Sequence, residues 1–169
     1  MKKVILTIDG KTQAWQRIVP ANPFNKFSKP HKEKETVTFQ NYVRWCYTQK
    51  TTEFFDCPVK ITIRVNVTPP KSVSKKMYKL MLQNIIKPDK KPDWDNLGKN
   101  VSDALNKVAY PDDAKITDGG VKKRYATHNF AQIIIEEDTE TGVWVKKDGE
   151  WEFVDINECE VDIAEMATA

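Results

Sequence analysis

Hydrophobic and polar residues alternate in several short stretches of the chain, and each of these stretches predicts a β-strand. The clearest is 59–67, where Val and Ile occupy every second position, so one face of the strand is buried and the other is solvated. A strand is also predicted at 3–9, where the turn signal Asp9-Gly10 ends it. We expect further strands at 114–118, 121–127 and 130–136.

Between these strands the hydrophobic residues recur with the 3.6-residue period of a helix. One apolar face covers roughly residues 38–49, and a second, short helix is expected after Ser74, whose hydroxyl can cap its N-terminus. A third helix is predicted from near Asp95 to about Val108. Residues 17–35 carry three prolines among basic and amide side chains, so a long basic loop is expected there.

The composition is typical of one globular domain with an appendage. The chain has 169 residues, of which 40% are hydrophobic and 30% charged. Its apolar runs are far too short to cross a bilayer, and Asp9 interrupts the first of them before a signal-peptide core forms, so we expect a cytoplasmic protein. Its three cysteines form no Cys-x-x-Cys pair, which predicts incidental reduced thiols rather than a zinc or dithiol site.

The charge is unevenly distributed and predicts a domain boundary after residue 135. Residues 1–135 hold 25 basic and 12 acidic side chains, a formal charge of +13, whereas residues 136–169 hold 12 acidic and 2 basic ones. A body this basic is typical of a protein that binds nucleic acid, although a merely soluble basic surface has the same composition. The acidic part is predicted to form a hairpin over 142–155, turned at Asp148-Gly149, and then a loose tail.

The residues of most chemical interest surround the start of the third helix. Asp93 and Asp95 are spaced i, i+2, so in an extended segment both carboxylates point the same way, directly before the helix N-terminus. The pair Asp112-Asp113 follows the helix and could fold back towards its start. Converging carboxylates repel unless a hard divalent cation binds them, and Mg²⁺ held in this way can assist hydrolysis of a phosphodiester.

A lysine on the same helix adds a positive charge to this group. Lys99 lies four residues after Asp95 on the polar side, where its ammonium group could contact the scissile phosphate or the leaving oxygen. The same residues have an ordinary structural interpretation, with Asp95 as a helix N-cap, Asp112-Asp113 as a loop, and Asp95 and Lys99 as an i, i+4 ion pair. Spacing alone favours the structural interpretation, because such patterns are common at helix starts.

Three stretches of the chain form an ordered set: PPKSVSKK at 69–76, KKPDWDNL at 90–97, and SDALN at 102–106 with YPDDAKI at 110–116. In order and spacing this set resembles the RusA family of Holliday-junction resolvases, crossover-junction endodeoxyribonucleases that are frequent in phages and prophages. The segment VKKRY at 121–125 is also similar to the family's strand after the acidic pair. The resemblance runs from the first strand to about residue 135.

The resemblance implies a mixed α/β (α+β) nuclease, a small mixed sheet packed with helices, that acts in DNA recombination and repair. It implies a homodimer that uses Mg²⁺ or Mn²⁺ and makes paired symmetric nicks in a four-way DNA junction. By position it assigns Asp93, Asp95 and Asp113 as metal-binding catalytic carboxylates, Asp112 as nearby metal-binding support, and Lys99 as the catalytic lysine. The basic residues near these motifs are candidate phosphate contacts: Lys75, Lys76, Lys90, Lys91, Lys122, Lys123 and Arg124.

Two features depart from the family pattern. Trp94 stands between the two aspartates where the family usually has an aliphatic residue, and we expect it to pack in the protein rather than stack on a base. The acidic segment 136–169 has no counterpart, so a solubilising extension, a competitor for the basic DNA-binding face and a site for a protein partner all stay open. The functional alternatives are a nuclease for other branched DNA and a protein that binds junctions without cutting them.

Overall fold

The computed structural model describes residues 1–10 and 34–155 of the chain. Its strands are β1 (Lys3–Asp9), β2 (Val59–Val67), β3 (Ile116–Tyr125), β4 (Phe130–Glu137), β5 (Gly142–Lys147) and β6 (Glu150–Asp155). Its helices are α1 (Lys34–Lys50), α2 (Lys75–Leu82) and α3 (Trp94–Leu105), with a single 3₁₀ turn at Asp113–Lys115. Most of the predicted basic loop at 17–35, and the predicted loose tail after residue 155, lie outside the described residues. None of the helices in the described ranges is long and apolar enough to cross a membrane.

The first unit of the structure, Met1–Asp138, is built on a four-stranded sheet with the strand order β1-β4-β2-β3. β4 is antiparallel to β1 and to β2, whereas β3 is parallel to β2 and forms one edge. The connection from β2 to β3 contains α2 and α3, because parallel neighbours need a crossover rather than a tight turn. The expected mixed α/β fold, a small mixed sheet packed with helices, is therefore confirmed.

Helices cover one face of this sheet and form the core with it. Every second residue of β2 is buried, from Val59 to Val65, and β1 shows the same alternation. α3 contributes an apolar stripe in which Leu97, Val101 and Leu105 are at most 1% exposed. α1 buries its own apolar residues in the same cluster, so the polar face of α3 is the part left for chemistry.

β1 and β2 have the bounds that their alternation predicted, whereas α1 begins at Lys34 rather than near residue 38, and α3 and β3 also differ from the prediction. α3 ends at Leu105 rather than near Val108, because Asn106 leaves the helical conformation and Lys107 is left-handed, with φ 63°. The strands expected separately at 114–118 and 121–127 form the single strand β3. Gly119 and Gly120 lie at its centre and continue the ladder with β2.

The first unit ends later than the charge boundary predicted after residue 135. β4 continues to Glu137, and the Asp138 backbone N–H donates to the Pro58 carbonyl at 2.9 Å. The Asp138 carboxylate also accepts a hydrogen bond from the Thr117 hydroxyl at 2.6 Å. The acidic residues 136–138 therefore belong to the sheet unit.

The second unit, Thr139–Ala169, contains an antiparallel hairpin of β5 and β6 in its described part. Trp144 lies opposite Phe153, and their rings meet edge to face with centroids 5.3 Å apart. The turn residues Asp148 and Gly149 have φ of 53° and 91°, the positive values that a two-residue type I′ turn requires. The acidic hairpin is therefore present where the turn signal placed it.

Replacing Ile135 with alanine should destabilise the first unit strongly. Ile135 is fully buried between Val4 of β1 and Ile61 of β2, so truncation leaves a cavity that costs about 2–5 kcal/mol. Ile85→Ala is the matched control, because Ile85 is 66% exposed and loses little buried surface. Chemical denaturation measures both variants, and equal losses of unfolding free energy would contradict this position for β4 in the core.

Candidate active site

The N-terminus of α3 carries the first two predicted site residues, both exposed. Asp93 is the N-cap residue, whose backbone carbonyl accepts from the Leu97 N–H at 3.1 Å, and Asp95 lies in the first turn. An N-cap aspartate usually accepts a hydrogen bond from a first-turn N–H, but the carboxylate of Asp93 makes no such capping bond. The helix therefore positions two carboxylates at this end without using Asp93 as a side-chain cap.

The geometry of this pair corrects both sequence-based interpretations. One of them placed Asp93 and Asp95 in a single extended segment, whereas the helix begins at Trp94 and takes Asp95 into its first turn. Asp93 alone is extended, with φ −71° and ψ 150°, so helix geometry rather than strand alternation sets the direction of Asp95. The other interpretation made Asp95 the N-cap, which is the position of Asp93.

A lysine of the neighbouring strand holds the loop that leads into α3. The Lys123 ammonium group of β3 donates to the backbone carbonyls of Lys90 and Pro92, at 2.7 and 3.0 Å. Since Pro92 directly precedes Asp93, these bonds fix the backbone from which the first carboxylate projects. Lys123, predicted among the phosphate contacts, thus has a positioning role in the structure.

An arginine of α1 holds the opposite end of α3. The Arg44 guanidinium donates to the carbonyls of Ala104 and Asp103, at 2.8 and 3.3 Å. The last carbonyls of a helix have no partner within it, and a positive charge at this end also offsets the negative pole of the helix dipole. α3 is therefore fixed at both ends by cations from other elements.

Asp95 and Lys99 lie along one groove between α3 and the strands β2 and β3. The groove has a volume of about 260 Å³, and its floor is aliphatic, with Ile61, Ile63 and Val121. Lys99 follows Asp95 by one helical turn, as predicted, and both side chains are exposed. The structure thus places the second carboxylate and the predicted catalytic lysine in the same open site.

Asp112 and Asp113 lie elsewhere, in a second acidic group with Asp103 that we call the C-terminal acidic cluster. Loss of solvent raises the pKa of Asp113, and the nearby carboxylates of Asp112 and Asp103 raise it further. Burial is also the largest cause of a raised pKa at Tyr110, to which Asp113 and Asp103 add. In both groups burial is the larger cause of the raised pKa, and the neighbouring carboxylates add to it.

The second acidic pair does not fold back to the start of α3, which the sequence had left open. α3 runs antiparallel to β3, because its Gly98 lies against Val121 and the loop before its start lies against Lys123. The beginning of β3, and with it the pair Asp112-Asp113, therefore lies by the C-terminal end of the helix. Asp95 and Asp103 are separated by two helical turns, which is about 12 Å along the axis.

The donors at the start of α3 suit a hard divalent cation that is shared with a substrate. Asp93 and Asp95 offer exposed carboxylate oxygens, and Mg²⁺ is usually held by one or two carboxylates together with substrate phosphates. Among the described residues, no group of three or more His, Cys, Asp or Glu side chains is arranged to hold a metal ion. The two aspartates therefore fit a cation when further oxygen ligands, such as those of a DNA phosphate, complete the shell.

The other predicted DNA contacts fall on separate surfaces. Lys90 and Lys91 are exposed on the loop before Asp93. Lys75 and Lys76 are exposed in the first turn of α2, where the Ser74 hydroxyl accepts from a backbone N–H at 3.3 Å, as predicted. Lys122 and Arg124 are exposed on the face of β3 opposite to α3, because they alternate with the inward residues of that strand.

Three features of the site escaped sequence reasoning. Trp94 was expected to pack in the protein, but it is 58% exposed, so that expectation was wrong. Arg44 and Lys123 bond to carbonyls 60 and 33 residues away in the chain, and no local pattern reports such contacts. Asp103 did have a signal, since Asp95, Lys99 and Asp103 recur every four residues.

Comparison with known proteins gives a family and a relative. A family model described as "Endodeoxyribonuclease RusA" matches residues 12–136. A protein of Bacillus subtilis (strain 168), described as "Uncharacterized protein YqaN", is 35% identical over 102 residues, which is 59% of this chain and 72% of that protein. The family match covers the start of α3 and the C-terminal acidic cluster and stops in β4. The resemblance drawn from the motifs is thereby confirmed.

Asp113→Asn should stabilise the protein at neutral pH. Because folding raises the pKa of Asp113, the free energy of unfolding falls as the pH rises from the ordinary aspartate pKa of about 3.9 through the folded-state value. The asparagine removes this loss, so in EDTA the variant should unfold at a higher denaturant concentration at about pH 7, with no advantage near about pH 3. Asp118→Asn controls for the loss of one negative charge elsewhere on the surface. A variant no more stable than wild type at neutral pH would contradict the repulsion within the cluster.

Proposed function

This chain belongs to the RusA family of endodeoxyribonucleases, and from that membership we propose that it resolves four-way DNA junctions by paired symmetric nicks. Family membership makes it a hydrolase that cuts DNA at crossover junctions. The proposal adds that Mg²⁺ is the cofactor and that Mn²⁺ can replace it. It adds that the active form is a homodimer, which acts on DNA in the cytoplasm. It also assigns the catalytic, metal-binding and DNA-binding residues.

The arrangement at the start of α3 is the observation that carries the proposal. Asp93 is the N-cap residue of α3, and its exposed carboxylate makes no capping bond. Asp95 shares the helix terminus with Asp93, and Lys99 lies one turn further along the same groove. In a family that cuts DNA, a catalytic role at the phosphate explains two exposed carboxylates followed by a lysine better than a role in helix stability does.

Each of these side chains has a distinct role in the proposed reaction. Asp93 and Asp95 would hold the cation through their carboxylate oxygens. A bound divalent ion supplies Lewis acidity and neutralises charge on the phosphodiester. Lys99 places a positive charge where negative charge develops on the phosphate and on the leaving oxygen. Water is the nucleophile, and we expect it to displace the 3′-oxygen, which leaves a 5′-phosphate and a 3′-hydroxyl that a ligase can rejoin.

Asp113, with Asp112 as support, enters the proposed metal site on the strength of the resemblance alone. In the structure both residues lie in the C-terminal acidic cluster, at the other end of α3 from Asp95. The assignment of Asp93 and Asp95 therefore has two supports, family position and geometry, whereas that of Asp113 and Asp112 has one.

Two cuts on opposed strands require two sites, which is the argument for a homodimer. A four-way junction is nearly two-fold symmetric, and a two-fold dimer would present one groove to each of the opposed strands. A monomer would leave single nicks, which do not separate a junction into two duplexes.

Among the proposed DNA contacts, Lys75 and Lys76 have the clearest electrostatic argument. Both lie in the first turn of α2, which contains no acidic residue, so their charges oppose the positive pole of the helix dipole. A DNA phosphate at this terminus would accept hydrogen bonds from the helix N–H groups and from both ammonium groups. The remaining contacts in the proposal are Lys90, Lys91, Lys122, Lys123 and Arg124.

Asp95→Asn should abolish cleavage while junction binding persists. A metal ion supplies several kcal/mol of transition-state stabilisation, so we expect the cleavage rate to fall by at least roughly 100-fold. The measurement uses an end-labelled four-way junction and a linear duplex of the same sequence, with Mg²⁺, Mn²⁺ or EDTA. Asp118→Asn, an exposed aspartate of β3 outside the groove, is the matched control and should cleave like wild type.

The same experiment separates the two alternatives. Nicks in flaps or forks but not in the four-way junction would make the chain a nuclease for other branched DNA. Junction binding with no cleavage under either metal would remove the catalytic assignment and leave a junction-binding protein, in which Asp93 and Asp95 only begin a helix.

For the acidic extension we propose competition with DNA for the basic surface, with a protein partner as the alternative occupant. Removing residues 139–169 deletes 9 acidic and 2 basic side chains but keeps Asp138, which bonds to the sheet unit. The shortened chain should bind junctions more tightly and with a steeper salt dependence, because it carries more net positive charge. Affinity is measured over a salt series, with circular dichroism as the folding control. An unchanged affinity and slope would exclude competition.

A further inference from the structure

Trp94 is a large aromatic residue that the packing of α3 does not bury. It begins the helix, between Asp93 and Asp95, and it is 58% exposed. The buried face of α3 starts three residues later, at Leu97. Trp45, Trp144 and Trp151 are exposed to a similar extent, so exposure alone does not distinguish Trp94. Its position between two proposed metal ligands does.

Trp94 lines the same groove as Asp95 and Lys99. The floor of this groove is aliphatic, with Ile61, Ile63 and Val121. Gly119 and Gly120 of β3 also line it, and they contribute backbone atoms only. The volume, about 260 Å³, is below the ~300 Å³ at which pockets for drug-sized ligands begin, which suits a single ring system.

A nucleobase has the chemistry that fits these walls. Its two faces are flat and aromatic, which matches the indole ring of Trp94 and the aliphatic floor. Its attached phosphate is anionic, which matches Lys99 at the rim and the exposed Lys90 and Lys91 on the adjoining loop. An apolar side chain of a protein partner would match the same walls but would bring no anionic group to these lysines.

We propose that Trp94 stacks on the base next to the scissile phosphate and holds it in the groove during cleavage. This inference rests on the proposed function, because it needs a DNA strand to reach Asp95 and Lys99. A base at a crossover leaves its neighbours at lower cost than a base inside a continuous duplex. Trp94 would therefore favour branched over linear DNA, which makes it a specificity-determining residue.

A double-substitution cycle on the full-length protein tests the stacking. The nick is first mapped on a four-way junction, and junctions with one abasic nucleotide on either side of the nick are then prepared. Wild type, Trp94→Ala and Trp94→Phe are compared on intact and abasic junctions by single-turnover cleavage with Mg²⁺ and by binding in EDTA. Trp45→Ala is the matched control, because Trp45 is 57% exposed but lies on α1, away from the groove.

The expected result is a loss of cleavage rate that depends on the presence of the base next to the nick. Trp94→Ala should slow cleavage of the intact junction by roughly 10- to 100-fold, the range that loss of one base–aromatic stack produces, and Trp94→Phe should keep most of the rate. An abasic nucleotide on one side of the nick should slow wild type by a similar factor and remove its advantage over Trp94→Ala. If Trp94→Ala is equally harmful on intact and abasic junctions, on both sides of the nick, the proposal is overturned.

Failure of the proposed function gives a different pattern of results. If wild type cleaves no DNA under either metal, or if Asp95→Asn cleaves at the wild-type rate, the catalytic assignment is lost. The binding cycle in EDTA still reports on Trp94 in that case, because it needs no cleavage. If wild type cleaves and Asp95→Asn does not, the proposed function stands. If, in that case, the Trp94 substitutions and the abasic nucleotides affect binding and cleavage independently of each other, only the stacking proposal is overturned.

Discussion

Burial of one face of α3 against the sheet is the interaction on which the proposed site depends. Leu97, Val101 and Leu105 are at most 1% exposed, so the helix cannot rotate without losing several fully buried side chains. That constraint determines which residues are left outside, and Asp95 and Lys99 are among them. The bonds from Arg44 and Lys123 then fix the helix along its axis and fix the loop before it. The positions of the chemical groups follow from packing that involves none of them.

The charges along the outer face of α3 keep like charges apart. Lys99 lies between Asp95 and Asp103 at four-residue spacing, so a positive charge separates the carboxylates at the helix start from the C-terminal acidic cluster. The pKa of Asp113 is raised first by loss of solvent and then by the carboxylates of Asp112 and Asp103, so the carboxylates of this cluster still repel one another.

The periodic elements of this fold could be predicted from the sequence, and the long-range contacts could not. Alternation placed β1 and β2 with their observed bounds, since each strand has one wet face, and the Asp148-Gly149 turn placed the hairpin. The continuity of β3 through Gly119 and Gly120 was not predicted, because it depends on the pairing with β2. Within the candidate site, the four-residue spacing of Asp95 and Lys99 correctly predicted that they lie one helical turn apart. The exposure of Trp94 and the place of Asp113 depend on the direction of α3 against β3, which no local pattern contains.

The proposed site is also where the local rules of stable structure are broken together. Asp93 begins a helix without capping it through its side chain, Trp94 is exposed where an aliphatic residue would be unremarkable, and Gly120 sits in a strand where a β-branched residue would strengthen pairing. Each departure lowers stability a little, and all three occur at or beside one groove: Trp94 and Gly120 line it, and Asp93 directly precedes Trp94. Costs gathered in this way are expected where a protein binds and reacts, and they are not expected at an ordinary helix start.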